Sequence, residues 1–175
     1  AGVFGVASRP IAFQLGVAPG KMEIGQTGGR IETQQPTACK HKTPAPVADG
    51  GGTAAMESVA RQFATDKKAL VIRNGWFSYR WTQIFDMGGI PSEATVLKAR
   101  RTGTGKDAPF APAPLAEVVA TIRAQRPAVV FAPHVETASG ILLPDDYLGA
   151  VAAAAHEVGG LFVLDCIASG AMWVD

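Results

Sequence analysis

The chain has 175 residues, of which 47% are apolar, and this length suffices for one domain with a buried core. Its 16 basic and 15 acidic side chains give a formal charge of +1, so charge offers no case for a nucleic-acid or acidic-membrane partner. Its apolar stretches stop short of the roughly 18 residues that a transmembrane helix needs. Cys39 and Cys166 match no metal or redox spacing, and residues 1–13 contain no convincing leader peptide. We therefore expect free thiols and a cytoplasmic location.

The composition and periodicity of the sequence change near residue 48. Residues 1–47 show little periodicity and many prolines and glycines, so we interpret them as an irregular arm with a short strand possible near residues 11–15. Residues 45–48 are the only candidate for a strand before the next element, and two prolines weaken it. A glycine turn at residues 50–52 then leads into a helix that reaches Phe63 and has apolar side chains on one face.

The rest of the chain alternates between strands and helices. The predicted elements are a strand at 69–72, a helix at 77–87, a strand at 94–97, a polar loop at 100–112, a helix at 114–124, a strand at 127–131, a helix at 145–158 and a strand at 161–165. This alternation with short connections predicts an α/β fold, with a mainly parallel sheet covered by helices on both faces. In such sheets the carboxyl ends of the strands carry the ligand site.

Asp165 ends the last of these strands and is the most informative residue in the sequence. A carboxylate at the end of a buried strand needs a cationic or hydrogen-bonding partner. One partner that fits is the protonated ring nitrogen of pyridoxal phosphate, whose action as an electron sink depends on an acidic residue. The alternative is that Asp165 only caps the segment that follows it.

Two further segments carry groups that complement such a ligand. The glycine turn at 50–52 opens a helix, so its free N–H groups and the Thr53 hydroxyl can hold a phosphate, although a plain connection is the alternative. Trp76 and Phe77 follow the strand at 69–72, and a ring at that place either stacks on a flat ligand or belongs to the core.

Other kinds of site are less well supported. Residues 133–140 form a run of donors and acceptors after a strand, but His134 and Glu136 lack a third ligand for a metal, so we predict none. Glycine-lysine turns within residues 16–22 and 103–106 do not match a P-loop, so nucleotide binding through them is not expected.

Four motifs, taken together, resemble the class V, fold-type I pyridoxal-phosphate enzymes, and are most similar to the alanine/serine–glyoxylate aminotransferases. They occur in the family's order on the expected elements, and are Gly51-Gly52-Thr53-Ala54-Ala55-Met56-Glu57, Asn74-Gly75-Trp76-Phe77-Ser78-Tyr79-Arg80, His134-Val135-Glu136-Thr137-Ala138-Ser139-Gly140 and Asp165-Cys166-Ile167-Ala168-Ser169. The resemblance covers roughly residues 49–175. It implies an arm at 1–47 followed by a cofactor-binding large domain at 48–175.

The resemblance also implies roles for individual residues, position by position. These are Gly51, Gly52 and Thr53 as the phosphate cradle, Phe77 as the ring-stacking aromatic, Thr137 as the hydroxyl that bonds the phenolic oxygen of the cofactor, Asp165 as the pyridinium partner and Ile167 as a contact on the ring face. Trp76 adjoins Phe77 and is the alternative stacking residue. A protonated pyridine beside an ionised aspartate draws electrons from the substrate Cα, which agrees with the role given to Asp165.

The family also needs a lysine that forms a Schiff base with the cofactor, expected some tens of residues beyond Asp165. None of the lysines in this chain occupies that place, namely Lys21, Lys40, Lys42, Lys67, Lys68, Lys98 and Lys106. We therefore expect a truncated large domain that lacks the Schiff-base lysine and the C-terminal small domain, and that is inactive by itself.

The function implied for the parent protein is that of a homodimeric, cytoplasmic transaminase that moves an amino group from a small amino acid to glyoxylate or a similar 2-oxo acid. Alternatives within class V are 2-aminoethylphosphonate transamination and cysteine desulfuration, for which Cys166 is badly placed beside Asp165. A catalytically silent fragment is a further alternative. A dinucleotide-binding module ranks last because no Gly-x-Gly-x-x-Gly is present.

Overall fold

The computed structural model describes residues 12–16, 30–33 and 51–169. Over these ranges it forms, in chain order, β1 Ala12–Gly16, β2 Arg30–Thr33, α1 Gly52–Ala64, β3 Lys68–Arg73, α2 Trp76–Gly88, β4 Glu93–Lys98, β5 Arg100–Arg101, β6 Phe110–Ala111, α3 Leu115–Gln125, β7 Val129–Pro133, β8 Val135–Glu136, β9 Ile141–Leu142, α4 Asp145–Glu157 and β10 Leu161–Asp165. Every helix and strand predicted between residues 51 and 169 is present close to its predicted bounds.

Six of the strands form one sheet, in the order β2-β1-β10-β7-β3-β4. All neighbouring pairs are parallel except β1 with β2, which is antiparallel. The predicted α/β fold with a mainly parallel sheet is therefore confirmed. Because β3, β7 and β10 are parallel neighbours, their last residues lie at one end of the sheet, which we call the carboxyl edge.

Helices cover both faces of the sheet. Val71, Phe131 and Val163 point toward α1 and α2, whereas the residues that alternate with them along the strands contact α3 and α4. On the first face the ring of Trp81 lies 4.5 Å from that of Phe131, centroid to centroid. Burial on both faces explains why these strands are continuous apolar runs in the sequence. None of the described helices is both long and apolar enough to cross a membrane.

The structure adds elements that the sequence did not predict. The predicted loop at 100–112 contains the hairpin of β5 and β6, and the polar run after β7 contains the hairpin of β8 and β9. Strands of two residues are too short to produce a periodic pattern. The short strand expected near residues 11–15 is β1, but its partner β2 was missed because it contains only one apolar residue, Ile31. The weak strand at 45–48 lies outside the described residues.

Gly160 and Gly149 form a matched pair for testing the packing of α4 on the sheet. A Cβ added at Gly160 would overlap the carbonyl oxygen of Pro127, whereas one at Gly149 would meet nothing within 4 Å. We expect Gly160→Ala to lower the free energy of unfolding by about 1–3 kcal/mol because a backbone atom obstructs it. We expect Gly149→Ala, in the middle of a helix, to raise it by about 0.5–1 kcal/mol. Urea unfolding measures both, and equal effects would contradict this packing.

Candidate functional site

Asp165 is the last residue of β10, and its side chain is buried at the carboxyl edge, with 6% exposed. One carboxylate oxygen accepts a hydrogen bond of 3.0 Å from the N–H of Ile167. No basic side chain of the described residues forms an ion pair with it. Burial raises the pKa of Asp165, the Ile167 N–H lowers it, and the charge of Glu136 raises it further. Asp165 is thus a buried carboxyl group without a cationic partner in the part of the chain that the structure describes.

The capping alternative for Asp165 is realised only in part. The bond from Ile167 caps a turn, and the described residues after β10 form no α-helix. The peptide oxygen of Asp165 also accepts a bond of 2.9 Å from the N–H of His134, which ties β10 to the residue that follows β7. These contacts hold Asp165 in place, and neither of them brings a cation to its carboxyl group.

Glu136 is a second carboxylate at this edge, and it is fully buried. Its Oε1 accepts hydrogen bonds from the N–H groups of Phe77 at 3.2 Å and Ala138 at 3.3 Å. Its Oε2 accepts bonds from the N–H of Ser78 at 2.9 Å and from the Ser78 hydroxyl at 2.7 Å. The carboxylate therefore caps the N-terminus of α2, where the helix dipole favours negative charge.

The turn between β3 and α2 is shaped around this carboxylate. A Cβ added at Gly75 would lie 2.7 Å from Cγ and 2.8 Å from Cδ of Glu136, so only glycine permits the approach. The Ser78 hydroxyl in turn accepts bonds from the N–H groups of Asn74 at 2.8 Å and Gly75 at 3.0 Å. Sequence reasoning missed this role of Glu136, because its partner Ser78 lies 58 positions away along the chain.

The metal alternative that the sequence left for His134 and Glu136 has no support in the geometry. Both oxygens of Glu136 are engaged by hydrogen-bond donors of the protein. In residues 51–169 and the two described strands before them, no three metal-ligating side chains are grouped to hold an ion.

The start of α1 lies beside the residue that follows Cys166. A Cβ added at Gly52 would come within 2.7 Å of Cδ1 of Ile167. Gly51 precedes the helix in an extended conformation, and no described side chain caps it. Among the described residues, no side chain therefore competes with an anion for the first N–H groups of α1.

The two aromatic residues that begin α2 are exposed rather than part of the core. Trp76 is 60% and Phe77 is 53% exposed, so the core alternative is wrong for both. The ring of Trp76 lies 5.8 Å from that of Tyr79, whereas the ring of Phe77 has no aromatic partner among the described residues. Thr137 is exposed in the turn of the β8–β9 hairpin, and within the described part of the chain its hydroxyl has no hydrogen bond.

Several buried polar atoms near the carboxyl edge lack partners in the described residues. Neither side-chain amide atom of Asn74 is hydrogen bonded, although this residue is only 3% exposed. The same holds for Nε2 of His134 and the hydroxyl of Ser139. Buried polar groups without partners are costly and rare, and these three residues follow β3 and β7 in the chain.

The structure thus links all four predicted motifs through contacts between pairs of them. Ile167 meets the start of α1, Phe77 is bound to Glu136, and Asp165 is bonded to His134. Thr137 shares the hairpin of Glu136 but contacts none of the other predicted site residues through a hydrogen bond.

No protein-family model and no curated protein sequence matches this chain. Solved structures do match it. Ureidoglycine–glyoxylate aminotransferase from Bacillus subtilis superposes with a TM-score of 0.52 at 22% identity, over 67% of this chain and 27% of that one. Alanine–glyoxylate aminotransferase from Nostoc sp. gives a TM-score of 0.50 at 24% identity, over 67% of this chain and 28% of that one. The fold of this chain is therefore similar to that of part of these two aminotransferases. It spans little more than a quarter of the length of either enzyme.

The burial of Asp165 predicts how stability depends on pH. Because folding raises its pKa above the ordinary value of 3.8, its contribution to stability is present below pH 3.8 and is lost as pH rises through the folded-state pKa. Asp165→Asn keeps an acceptor for the Ile167 N–H and removes the charge. We expect this variant to unfold at higher urea concentration than the wild type at neutral pH, with no such gain below pH 3.8.

Asp107→Asn, which alters an exposed loop residue, serves as the control and should leave the urea midpoint unchanged. A loss of stability for Asp165→Asn at neutral pH would show that the charge of Asp165 is already compensated in the folded chain.

Proposed function

We propose that the chain is part of a pyridoxal-phosphate-dependent transaminase, and that its cofactor site lies at the carboxyl edge. The observation that carries this proposal is the buried carboxyl group of Asp165, which lacks a cationic partner within the described chain and lies two residues before Ile167 at the uncapped start of α1. A ligand that combines an anionic group with a protonated ring nitrogen would complement both features.

The contacts of Gly52 support the phosphate part of this assignment. A Cβ at this position would overlap Ile167, so the start of α1 and the segment after β10 approach each other closely. Gly51, Gly52 and the Thr53 hydroxyl would hold the phosphate through N–H groups at the positive end of the helix dipole. The lack of a competing side-chain cap on α1 within the described residues supports this role.

The ring contacts are assigned to Phe77 and Ile167. Both rings are exposed, and Phe77 is favoured over Trp76 because its ring has no aromatic partner in the described chain, whereas the ring of Trp76 is near Tyr79. Ile167 is 46% exposed and offers an apolar surface beside α1. Thr137, on the exposed turn after Glu136, would donate to the phenolic oxygen.

When bound, pyridoxal phosphate supplies an electron sink for negative charge that develops at the Cα of an amino acid. Asp165 would hold a proton at the ring nitrogen and so keep that sink effective. The low exposure of Asp165 strengthens this interaction, because a buried ion pair is little screened by water. Phe77 and Ile167 would orient the ring and exclude water from its faces.

The substrates and the assembly are part of the same proposal. The two enzymes from Bacillus subtilis and Nostoc sp. are glyoxylate aminotransferases by name, which supports glyoxylate or a similar 2-oxo acid as acceptor. The division into an arm at 1–47 and a large domain at 48–175, assembly as a homodimer and a cytoplasmic location remain predictions from the sequence. Desulfuration through Cys166 is disfavoured, because burial and the charge of Asp165 raise the pKa of its thiol while Ser169 lowers it.

Pyridoxamine phosphate provides a direct binding test, because it lacks the aldehyde that reacts with surface lysines. We expect the purified chain to bind it, detected by quenching of tryptophan fluorescence. Asp165→Ala should weaken binding about tenfold or more, since a hydrogen bond between charged groups contributes about 1.5–3 kcal/mol. Pyridoxamine without the phosphate should bind more weakly to the wild type.

The exposed Asp107→Asn variant is again the matched control and should bind like the wild type. A folded wild-type chain that fails to bind pyridoxamine phosphate, or Asp165→Ala binding with unchanged affinity, would overturn the proposed function.

A further inference from the structure

We propose that Glu136 is a positioning residue of this site, a single buried carboxylate that fixes the start of α2, and with it Phe77, relative to Asp165. This inference rests on the proposed function, in which Phe77 and Asp165 contact the same ring. It concerns a residue to which neither the resemblance nor the sequence gave a role.

The way in which α2 is capped is the first argument. Helices are commonly capped by a Ser, Thr, Asp or Asn at the position just before the helix. Here that position is Gly75, and the cap comes instead from Glu136 on a separate hairpin. Glycine is also the residue that leaves room for this carboxylate. Because this cap comes from a separate hairpin, it also joins two segments of the site.

The completeness of the bonding is the second argument. Four donors reach the two oxygens of Glu136, three of them from Phe77 and Ser78 and one from Ala138. Burying a carboxylate is costly unless its hydrogen bonds are satisfied. The donors come from the start of α2 and from the turn between β8 and β9. A shift of Phe77 along the carboxyl edge would therefore break buried hydrogen bonds to Glu136.

The link to Asp165 is the third argument. The N–H of His134 donates to the peptide oxygen of Asp165, and Glu136 follows His134 by two residues. The two side chains are also close enough for the charge of Glu136 to raise the pKa of Asp165. The other titratable groups next to Asp165 are the Cys166 thiol and His134, whose Nε2 has no partner within the described chain. Glu136 therefore acts on Asp165 through both the backbone and its charge.

Two variants separate these effects in the ligand-free chain. Glu136→Gln keeps the length of the side chain and removes the charge, so the pKa of Asp165 should fall toward its ordinary value. Glu136→Asp keeps the charge and shortens the reach, so the amides of Phe77 and Ser78 should exchange faster while the pKa of Asp165 stays raised. NMR titration of the Asp165 carboxyl carbon and amide hydrogen exchange measure both effects.

Glu157→Gln, which removes an exposed carboxylate paired with Arg123, is the control and should change neither quantity. If Glu136→Gln unfolds the chain, Ser78→Ala removes one of the four bonds and should still speed exchange at Phe77. Unchanged amide exchange at Phe77 and Ser78 in folded Glu136→Asp would show that Glu136 does not fix the start of α2 and would overturn the inference.

Ligand binding tests both the proposed function and the positioning role of Glu136, and the two can fail separately. If the wild type binds pyridoxamine phosphate, Glu136→Gln should bind it about tenfold more weakly, the loss expected for about 1.4 kcal/mol of binding free energy. Equal affinity would overturn the positioning role. If the wild type does not bind, the proposed function fails, whereas the ligand-free measurements still decide whether Glu136 governs Phe77 and Asp165.

Discussion

The burial of two carboxyl groups, Asp165 and Glu136, at one end of a parallel sheet is the constraint on which this site depends. Removing a carboxylate from water is costly, and each of the two meets this cost differently. Glu136 is satisfied by donors within the protein, most of them from the start of α2. Asp165 has one donor to its side chain and no cation among the described residues. A ligand at this edge would therefore have to supply a positive charge or further hydrogen-bond donors to Asp165.

The sheet explains why these groups are together. Parallel pairing of β10 with β7 and of β7 with β3 brings Asp165, the hairpin of Glu136 and the turn before α2 to the carboxyl edge. The helices on both faces then bury this edge from the sides, which leaves Asn74 and His134 with polar atoms that lack partners in the described chain. Glycines at 52 and 75 allow the closest approaches. The parallel pairing of these strands therefore determines both the fold and the set of polar groups at the carboxyl edge.

The main strands could be predicted from the sequence because each is a buried apolar run. Asp165 could be singled out as a candidate site residue because a carboxylate at the end of such a strand is unusual. The exposure of Trp76 and Phe77 was not predictable from their own segment, since it depends on how α2 is placed. The cap formed by Glu136 was hidden for the same reason, because no local pattern joins residues 58 positions apart. The two-residue hairpins were missed because they depend on pairing rather than periodicity.

The crystal structure of the chain bound to pyridoxamine phosphate tests the central claim most directly. The account predicts that the ring nitrogen lies within hydrogen-bonding distance of an Asp165 carboxylate oxygen, that the phosphate accepts bonds from the N–H groups of Gly52 and Thr53, and that the ring lies against Phe77. A ligand bound elsewhere on the chain, or at this edge with its ring nitrogen directed away from Asp165, would contradict it.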